Sequence, residues 1–138
     1  MTAVRAVLPA ATRQAILTHA RGGLPNEACG IIVGDASWLD GGRPTRWVPL
    51  VNAHASPFRY AIDPETLLAL TIELDDAGEA IWAIVHSHPT SPAEPSQTDI
   101  REAFYPEALQ VLVSLAGATP EVRGWQIADG LATEVGLA

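Results

Sequence analysis

An apolar run that ends in two histidines constrains this chain more than any other feature of its sequence. Residues 80–85 (AIWAIV) have the length and composition of a buried strand, and His86-Ser87-His88-Pro89 follows directly. Residues i and i+2 of a strand point to the same face, so the imidazoles of His86 and His88 lie side by side. Pro89 then ends the strand because it has no backbone N–H for the ladder. The sequence therefore predicts a sheet that presents two imidazoles at the end of one buried strand.

The rest of the chain predicts one mixed sheet with helices packed on it. Asp63-Pro64 is typical of the N-cap and first position of a helix, which runs to about Ala77. Asp129-Gly130 predicts a type I′ turn between two terminal strands. The other predicted elements are strands at 3–8, 27–34, 45–51, 58–62, 109–115, 122–128 and 131–135, a helix over 10–20 before Gly22-Gly23, and a short helix from about Ser96. This order indicates the α/β class.

Composition limits the kinds of partner. The chain has 138 residues, of which 48% are hydrophobic, which suits one domain over 1–138. Its 8 basic and 16 acidic residues give a net charge of −8, which disfavours nucleic acid and anionic membranes as partners. Cys29 is the single cysteine, so no internal disulfide forms. The N-terminus lacks the apolar core of a signal peptide, and no apolar run approaches about 18 residues. We therefore expect a cytoplasmic protein.

Three further residues complete a candidate catalytic zinc site. Asp99, in the first turn of the short helix, is placed to return to His86 and His88 as a third ligand. Three protein ligands leave the fourth position of a tetrahedral zinc for water, whose pKa the metal lowers while it polarises a carbonyl. Glu27, with apolar neighbours at the start of a buried strand, is the candidate proton acceptor. Ser96 is placed to donate a hydrogen bond to the oxyanion.

Each of these residues also has an ordinary structural interpretation. Ser96-Gln-Thr-Asp99 has the pattern of a capping box, which needs no metal, although a cap can also orient a site residue. Glu27 alone is typical of a surface carboxylate. We expect Cys29 to be a small buried residue rather than a nucleophile, and His19 to face solvent. The joint occurrence of the histidines, proline, serine, aspartate and upstream glutamate favours the metal site.

This joint pattern resembles the JAMM (MPN+) metalloprotease motif, in which an upstream Glu is followed by His-Ser-His-Pro, six residues, Ser, two residues and Asp. Every position of that motif is filled in this chain. The resemblance implies one zinc per chain on His86, His88 and Asp99, with Glu27 as general base and acid and Ser96 as oxyanion stabiliser. It also implies a single MPN (JAMM) domain with a mixed curved sheet flanked by helices, an architecture similar to that of cytidine deaminases.

Segments outside the motif resemble short bacterial members of that family. Residues 26–34, 52–64 and 121–127 are similar to those of peptidases that remove cysteine from a ubiquitin-like sulfur-carrier protein. The connections at 52–57 and 101–107 are short, whereas family deubiquitinases carry inserted segments there that grip ubiquitin. The resemblance implies a ubiquitin-like or sulfur-carrier substrate, and it leaves both cysteine release and deconjugation of a protein adduct open.

Two other functional classes compete with a peptidase. Some relatives keep the fold as a non-catalytic scaffold without metal, but the complete ligand set and Glu27 argue against that role here. A zinc nucleoside deaminase needs a Pro-Cys-x-x-Cys pair of ligands, and one cysteine excludes the usual form. A homodimer through the apolar terminal hairpin, over 122–135, is a further expectation.

Overall fold

Within residues 4–138, one mixed sheet of seven strands carries the fold, with three helices beside it. The computed structural model describes residues 4–138, apart from the side chain of Val4, so the first residue of the strand predicted at 3–8 lies outside the described part. The elements in chain order are β1 (Val4–Ala6), α1 (Ala10–Gly23), β2 (Cys29–Gly34), β3 (Pro44–Leu50), α2 (Pro64–Ala77), β4 (Ala80–His88), α3 (Gln97–Arg101), β5 (Leu109–Ser114), β6 (Glu121–Ala128) and β7 (Leu131–Leu137). Across the sheet the order is β1-β7-β6-β5-β4-β2-β3.

The strand that ends in the two histidines lies inside this sheet. β4 pairs antiparallel with β2 and parallel with β5, so its backbone is hydrogen-bonded on both sides. All six residues of β2 and of β5 are buried, as their continuous apolar runs predict. The end of β4 is therefore held by two neighbouring strands.

Helices α1 and α2 cover opposite faces of the sheet. Ile16 of α1 belongs to the core cluster that contains Ile32, whereas Leu74 of α2 packs in a second cluster with Ile31. Ile31 and Ile32 are consecutive residues of β2, and consecutive residues of a strand point to opposite faces. The result is an α/β fold with one helix layer on each side of the central strands.

Local signals in the sequence predict several boundaries correctly. Asp63 caps α2, since its Oδ2 accepts the N–H of Thr66 at 3.0 Å. Asp129 and Gly130, with φ of 53° and 75°, form the turn between β6 and β7. α1 extends through Gly23, beyond the predicted end of the helix. No helix among residues 4–138 has the length and apolar character needed to span a bilayer.

The prediction of a strand over 58–62 is wrong. This segment has no regular structure, because the side chain of Asn52 takes the place of a neighbouring strand. Its amide Nδ2 donates to the carbonyl of Arg59 at 2.9 Å, and its Oδ1 accepts the N–H of Ala61 at 3.1 Å. The backbone N–H of Ala53 also donates to the carbonyl of Ala61 at 2.8 Å. A fixed loop therefore replaces the expected strand.

Candidate metal centre

β4 brings His86 and His88 together as their spacing predicts. Both are buried, with 2% and 4% exposure, and their ring centroids lie 5.1 Å apart. Ser87, between them, points to the other face, where its Oγ accepts the N–H of Ala28 at 2.8 Å. The N–H of Ser87 donates to the carbonyl of Ala28 at 2.9 Å. This pair of bonds ties the histidine strand to the chain just before β2.

The short helix α3 delivers the carboxylate of Asp99 to both histidines. Oδ2 of Asp99 lies 3.1 Å from Nε2 of His88 and 3.2 Å from Nε2 of His86. The same oxygen accepts the backbone N–H of Ser96 at 2.9 Å, and Oγ of Ser96 accepts the N–H of Asp99 at 3.0 Å. The capping box is therefore present, and it holds the carboxylate against the imidazoles.

His88 has a fixed ring orientation. Its Nδ1 lies 2.7 Å from the carbonyl oxygen of Pro92, which can only accept, so Nδ1 carries a hydrogen. In the neutral imidazole Nε2 then presents a lone pair to the carboxylate of Asp99, and a proton or a cation must mediate that contact. Burial lowers the pKa of His88, but the hydrogen bonds to Asp99 and Pro92 outweigh it and raise the pKa overall.

His86 differs from its neighbour in having no such anchor. Among residues 4–138 neither of its buried ring nitrogens has a hydrogen-bond partner, although Nε2 lies 3.2 Å from Oδ2 of Asp99. Burial lowers the pKa of His86 and outweighs the opposing effect of Asp99. The imidazole is thus neutral at physiological pH, the form in which it binds a metal.

The carboxylate of Asp99 is ionised. Burial raises the pKa of Asp99, but the adjacent imidazoles of His86 and His88 and the backbone N–H of Ser96 outweigh it and hold the pKa well below its usual range. A permanently ionised carboxylate beside two imidazoles is the donor set expected of a catalytic zinc site.

Glu27 lies two residues before β2, and two hydrogen bonds fix its backbone. Its N–H donates to the carbonyl of Ser56 at 2.8 Å, and Nδ2 of Asn52 donates to its carbonyl at 3.0 Å. Its side chain is buried, and Oε1 has no hydrogen-bond partner within the described residues. Burial raises the pKa of Glu27 to about 7, while the charge of His88 lowers it and that of Asp99 raises it. A carboxyl with this pKa can accept and release a proton near neutral pH.

The convergent groups fit a zinc ion. One ligand atom each from Glu27, His86 and His88 lies within 4.8 Å of the others. Ligand atoms around a tetrahedral zinc are roughly 3.3 Å apart, given bonds of about 2.0–2.1 Å, and the two contacts of Asp99 are 3.1 and 3.2 Å. Two carboxylates compete for the third position. The low pKa of Asp99 suits a ligand, whereas the raised pKa of Glu27 suits a proton carrier.

The structure adds Tyr60 to the site, a residue that the sequence did not single out. Tyr60 stacks its ring on His86, with centroids 4.4 Å apart and planes 22° from parallel.

The expectation that His19 faces solvent is wrong, since its Nε2 lies 2.9 Å from the carbonyl of Cys29 and 3.2 Å from that of Leu50. Cys29 is buried as expected. Burial, and to a smaller extent the charge of Glu27, raises the pKa of its thiol to about 11. Such a thiol is not a nucleophile.

Residues 9–128 of the chain match the family described as prokaryotic homologs of the JAB domain. The chain belongs to this family. Among relatives of this JAB-family chain, a CysO-cysteine peptidase from Mycobacterium tuberculosis is 39% identical over 121 residues, which cover 87% of this chain and 81% of that protein. A desampylase from Haloferax volcanii is 35% identical over 122 residues, which cover 85% of this chain and 86% of the relative.

A solved structure shows the same fold. The solution structure of a protein from Desulfitobacterium hafniense is 32% identical and has a TM-score of 0.81, covering 96% of this chain and 90% of the other. The JAMM-type α/β fold expected from the sequence is therefore confirmed, and the described residues form a curled seven-stranded sheet and three helices. The named relatives place the chain in a family of hydrolases.

Proposed function

We propose that this JAB-family chain is a zinc-dependent peptidase that hydrolyses an amide bond at the C-terminus of a ubiquitin-like or sulfur-carrier protein. His86, His88 and Asp99 hold one zinc per chain in this proposal. Two observations support it: the convergence of the three side chains at 3.1 and 3.2 Å, and the similarity to a CysO-cysteine peptidase over 87% of the chain. The sheet runs from residue 4 to residue 137, which supports one catalytic domain over residues 1–138.

Glu27 carries the proton in this mechanism. When bound, zinc supplies Lewis-acid polarisation of the scissile carbonyl and a lowered pKa for water. Oε1 of Glu27, buried and without a partner among residues 4–138, is free to accept the proton of the attacking water. The same carboxyl then gives that proton to the leaving amine, which the pKa of about 7 allows.

Ser96 stabilises the oxyanion in this mechanism. Its Oγ accepts the N–H of Asp99, so the cap uses a lone pair and leaves the hydroxyl hydrogen for another acceptor. The residue is exposed at the start of α3, where a substrate carbonyl has access to it. The cap fixes the position of the hydroxyl before substrate arrives, which is the condition for an effective oxyanion donor.

The single observation that carries the catalytic role, as against a scaffold, is the buried Oε1 of Glu27, which lies close to both histidines and has no hydrogen-bond partner among residues 4–138. Burial of an unsatisfied carboxyl costs stability, so a scaffold that had lost its metal would have no physical reason to keep it. The same argument applies to the two ring nitrogens of His86, which also lack a partner in the described part of the chain. The catalytic function is therefore favoured over the scaffold.

The test is intact-mass analysis of a ubiquitin-like sulfur carrier from the same organism that bears a C-terminal cysteine. We expect wild-type protein to remove one cysteine and Glu27→Gln to remove none while it retains zinc. Glu65→Gln, which changes an exposed carboxyl in the first turn of α2, is the matched control and leaves cleavage intact.

The outcomes separate the parts of the proposal. Turnover by Glu27→Gln at the wild-type rate would refute the proton-carrier role. No cleavage by a zinc-loaded wild-type preparation would reject cysteine release, and a carrier joined to a protein lysine is then the substrate to assay.

A further inference from the structure

The ring of Tyr60 lies flat against the imidazole of His86. The two rings are stacked, with centroids 4.4 Å apart and an interplanar angle of 22°. A histidine that binds a metal is normally oriented by a hydrogen bond from its second ring nitrogen. His88 follows that pattern through its bond to the carbonyl of Pro92, but neither nitrogen of His86 has a hydrogen-bond partner within residues 4–138. Rotation of an imidazole about its last torsion is soft, so the ring needs another constraint.

The backbone on both sides of Tyr60 is fixed. The carbonyl of Arg59 and the N–H of Ala61 both bond to the side-chain amide of Asn52, at 2.9 and 3.1 Å. Nη2 of Arg59 also donates to Oε1 of Glu102, just after α3, at 2.9 Å. These contacts link Tyr60 to the segment that follows β3 and to the end of α3, the helix that carries Asp99. The phenol ring is thus held at a set position against His86.

We propose that Tyr60 is a positioning residue, whose ring stack holds the imidazole of His86 with Nε2 towards Asp99 and so prepares it to bind zinc. The inference rests on the proposed function, because it takes His86 as a metal ligand. Stacking, rather than a hydrogen bond from the phenol, supplies the constraint. The hydroxyl is dispensable for this role, and an aromatic ring is required.

The test measures the zinc dissociation constant by competition with a chromophoric chelator, independently of catalysis. Tyr60→Phe keeps the ring, and we expect its dissociation constant to stay within about threefold of wild type. Tyr60→Leu removes the ring, and we expect binding about 10- to 100-fold weaker, the usual effect of losing a group that orients a metal ligand. Tyr105→Leu is the matched control, since Tyr105 lines the same groove as Tyr60. We expect it to bind zinc as wild type does.

Two measurements guard against a general loss of structure. The visible spectrum of the cobalt-substituted protein reports the ligand geometry, and we expect it to change in Tyr60→Leu and to be unchanged in Tyr60→Phe. In the wild-type protein, proton NMR of the His86 ring should show upfield ring-current shifts from the stacked phenol. Their absence would overturn the proposal even if Tyr60→Leu does not fold.

The remaining outcomes are distinct. Wild-type zinc affinity in Tyr60→Leu, or an equal loss in Tyr60→Phe or Tyr105→Leu, would overturn the positioning role and leave the proposed function standing. Failure of the wild-type protein to bind zinc would overturn both.

Discussion

Oδ2 of Asp99 lies 3.1 Å from Nε2 of His88 and is also the atom that closes the capping box of α3. One oxygen therefore stabilises the start of a helix and faces the two imidazoles. The helix has only five residues, so the cap is a large part of what keeps it in place. Local helix chemistry thus prepares the position of a proposed metal ligand before any metal binds.

Asp99→Asn separates these two roles. We expect the variant to lose zinc, because an amide oxygen carries no charge, and to keep most of the stability of the metal-free protein, because that oxygen still caps the helix. Metal content of the purified protein and thermal unfolding after chelation are the measurements. Ser96→Ala is the converse control, with zinc retained and about 1 kcal/mol of stability lost. A full zinc complement in Asp99→Asn would remove Asp99 from the ligand set.

The proposed oxyanion role of Ser96 predicts a kinetic effect larger than loss of the cap explains. We expect Ser96→Ala to lower kcat by about 100-fold or more, the usual effect of losing one oxyanion donor. Asp63→Ala is the control, because it removes the N-cap of α2 and leaves the site untouched. That variant loses a similar stability but keeps wild-type kcat. Ser96→Ala with full zinc and unchanged kcat would contradict the role.

Features that depend on residues close together in the sequence were predictable. The pairing of His86 with His88 follows from the two-residue repeat of a strand, and the start of α2 follows from Asp63-Pro64, because each depends on adjacent residues. The capping box of Ser96 was equally local. The zinc site was predicted by combining two separate segments of the chain, Glu27 and residues 86–99, whose spacing matches the motif.

Features that depend on distant backbone groups were not predictable. His19 is half-buried because the carbonyls of Cys29 and Leu50 meet in the ladder between β2 and β3, and no local pattern encodes that meeting. The stack of Tyr60 on His86 likewise joins residues far apart in the chain. The loop over 58–62 has the composition of a strand, but one amide side chain takes its hydrogen bonds.

Replacement of Asn52, which supplies that amide, is expected to cost more folding stability than replacement of most polar residues. Asn52 makes four hydrogen bonds to the backbones of Glu27, His54, Arg59 and Ala61. We expect Asn52→Ala to lower the free energy of unfolding by about 2–4 kcal/mol, measured by urea denaturation, since each bond contributes about 1 kcal/mol. Asn52→Asp keeps both accepting bonds but places a carboxylate oxygen against the carbonyls of Glu27 and Arg59, so we expect its loss to be no smaller than that of Asn52→Ala. A loss below 0.5 kcal/mol in Asn52→Ala would contradict this account.

The raised pKa of Glu27 predicts how the metal-free protein responds to pH. The pKa rises from 4.5 to about 7 on folding, so the folded chain holds the proton more tightly than the unfolded chain. This contribution to stability is fully present below pH 4.5 and is lost as the pH rises through about 7. The maximum loss is about 3 kcal/mol, since one pKa unit corresponds to about 1.4 kcal/mol.

Glu27→Gln isolates that contribution, because an amide of the same shape does not ionise. We expect the free energy of unfolding of the chelated variant to exceed that of the chelated wild type by an amount that grows between about pH 4.5 and pH 7 and is constant above. Asp99, whose pKa is held low, stays ionised over this range in both proteins and does not contribute to the difference. The raised pKa of His88 makes stability fall with rising pH in both proteins, and because the charge of Glu27 also raises that pKa, the fall is smaller in the variant, which acts in the same direction as the expected difference. Free energies of unfolding, measured by urea denaturation, that differ by the same amount at every pH would show that the Glu27 carboxyl does not take up a proton on folding. The proton-carrier role would then lose its physical basis.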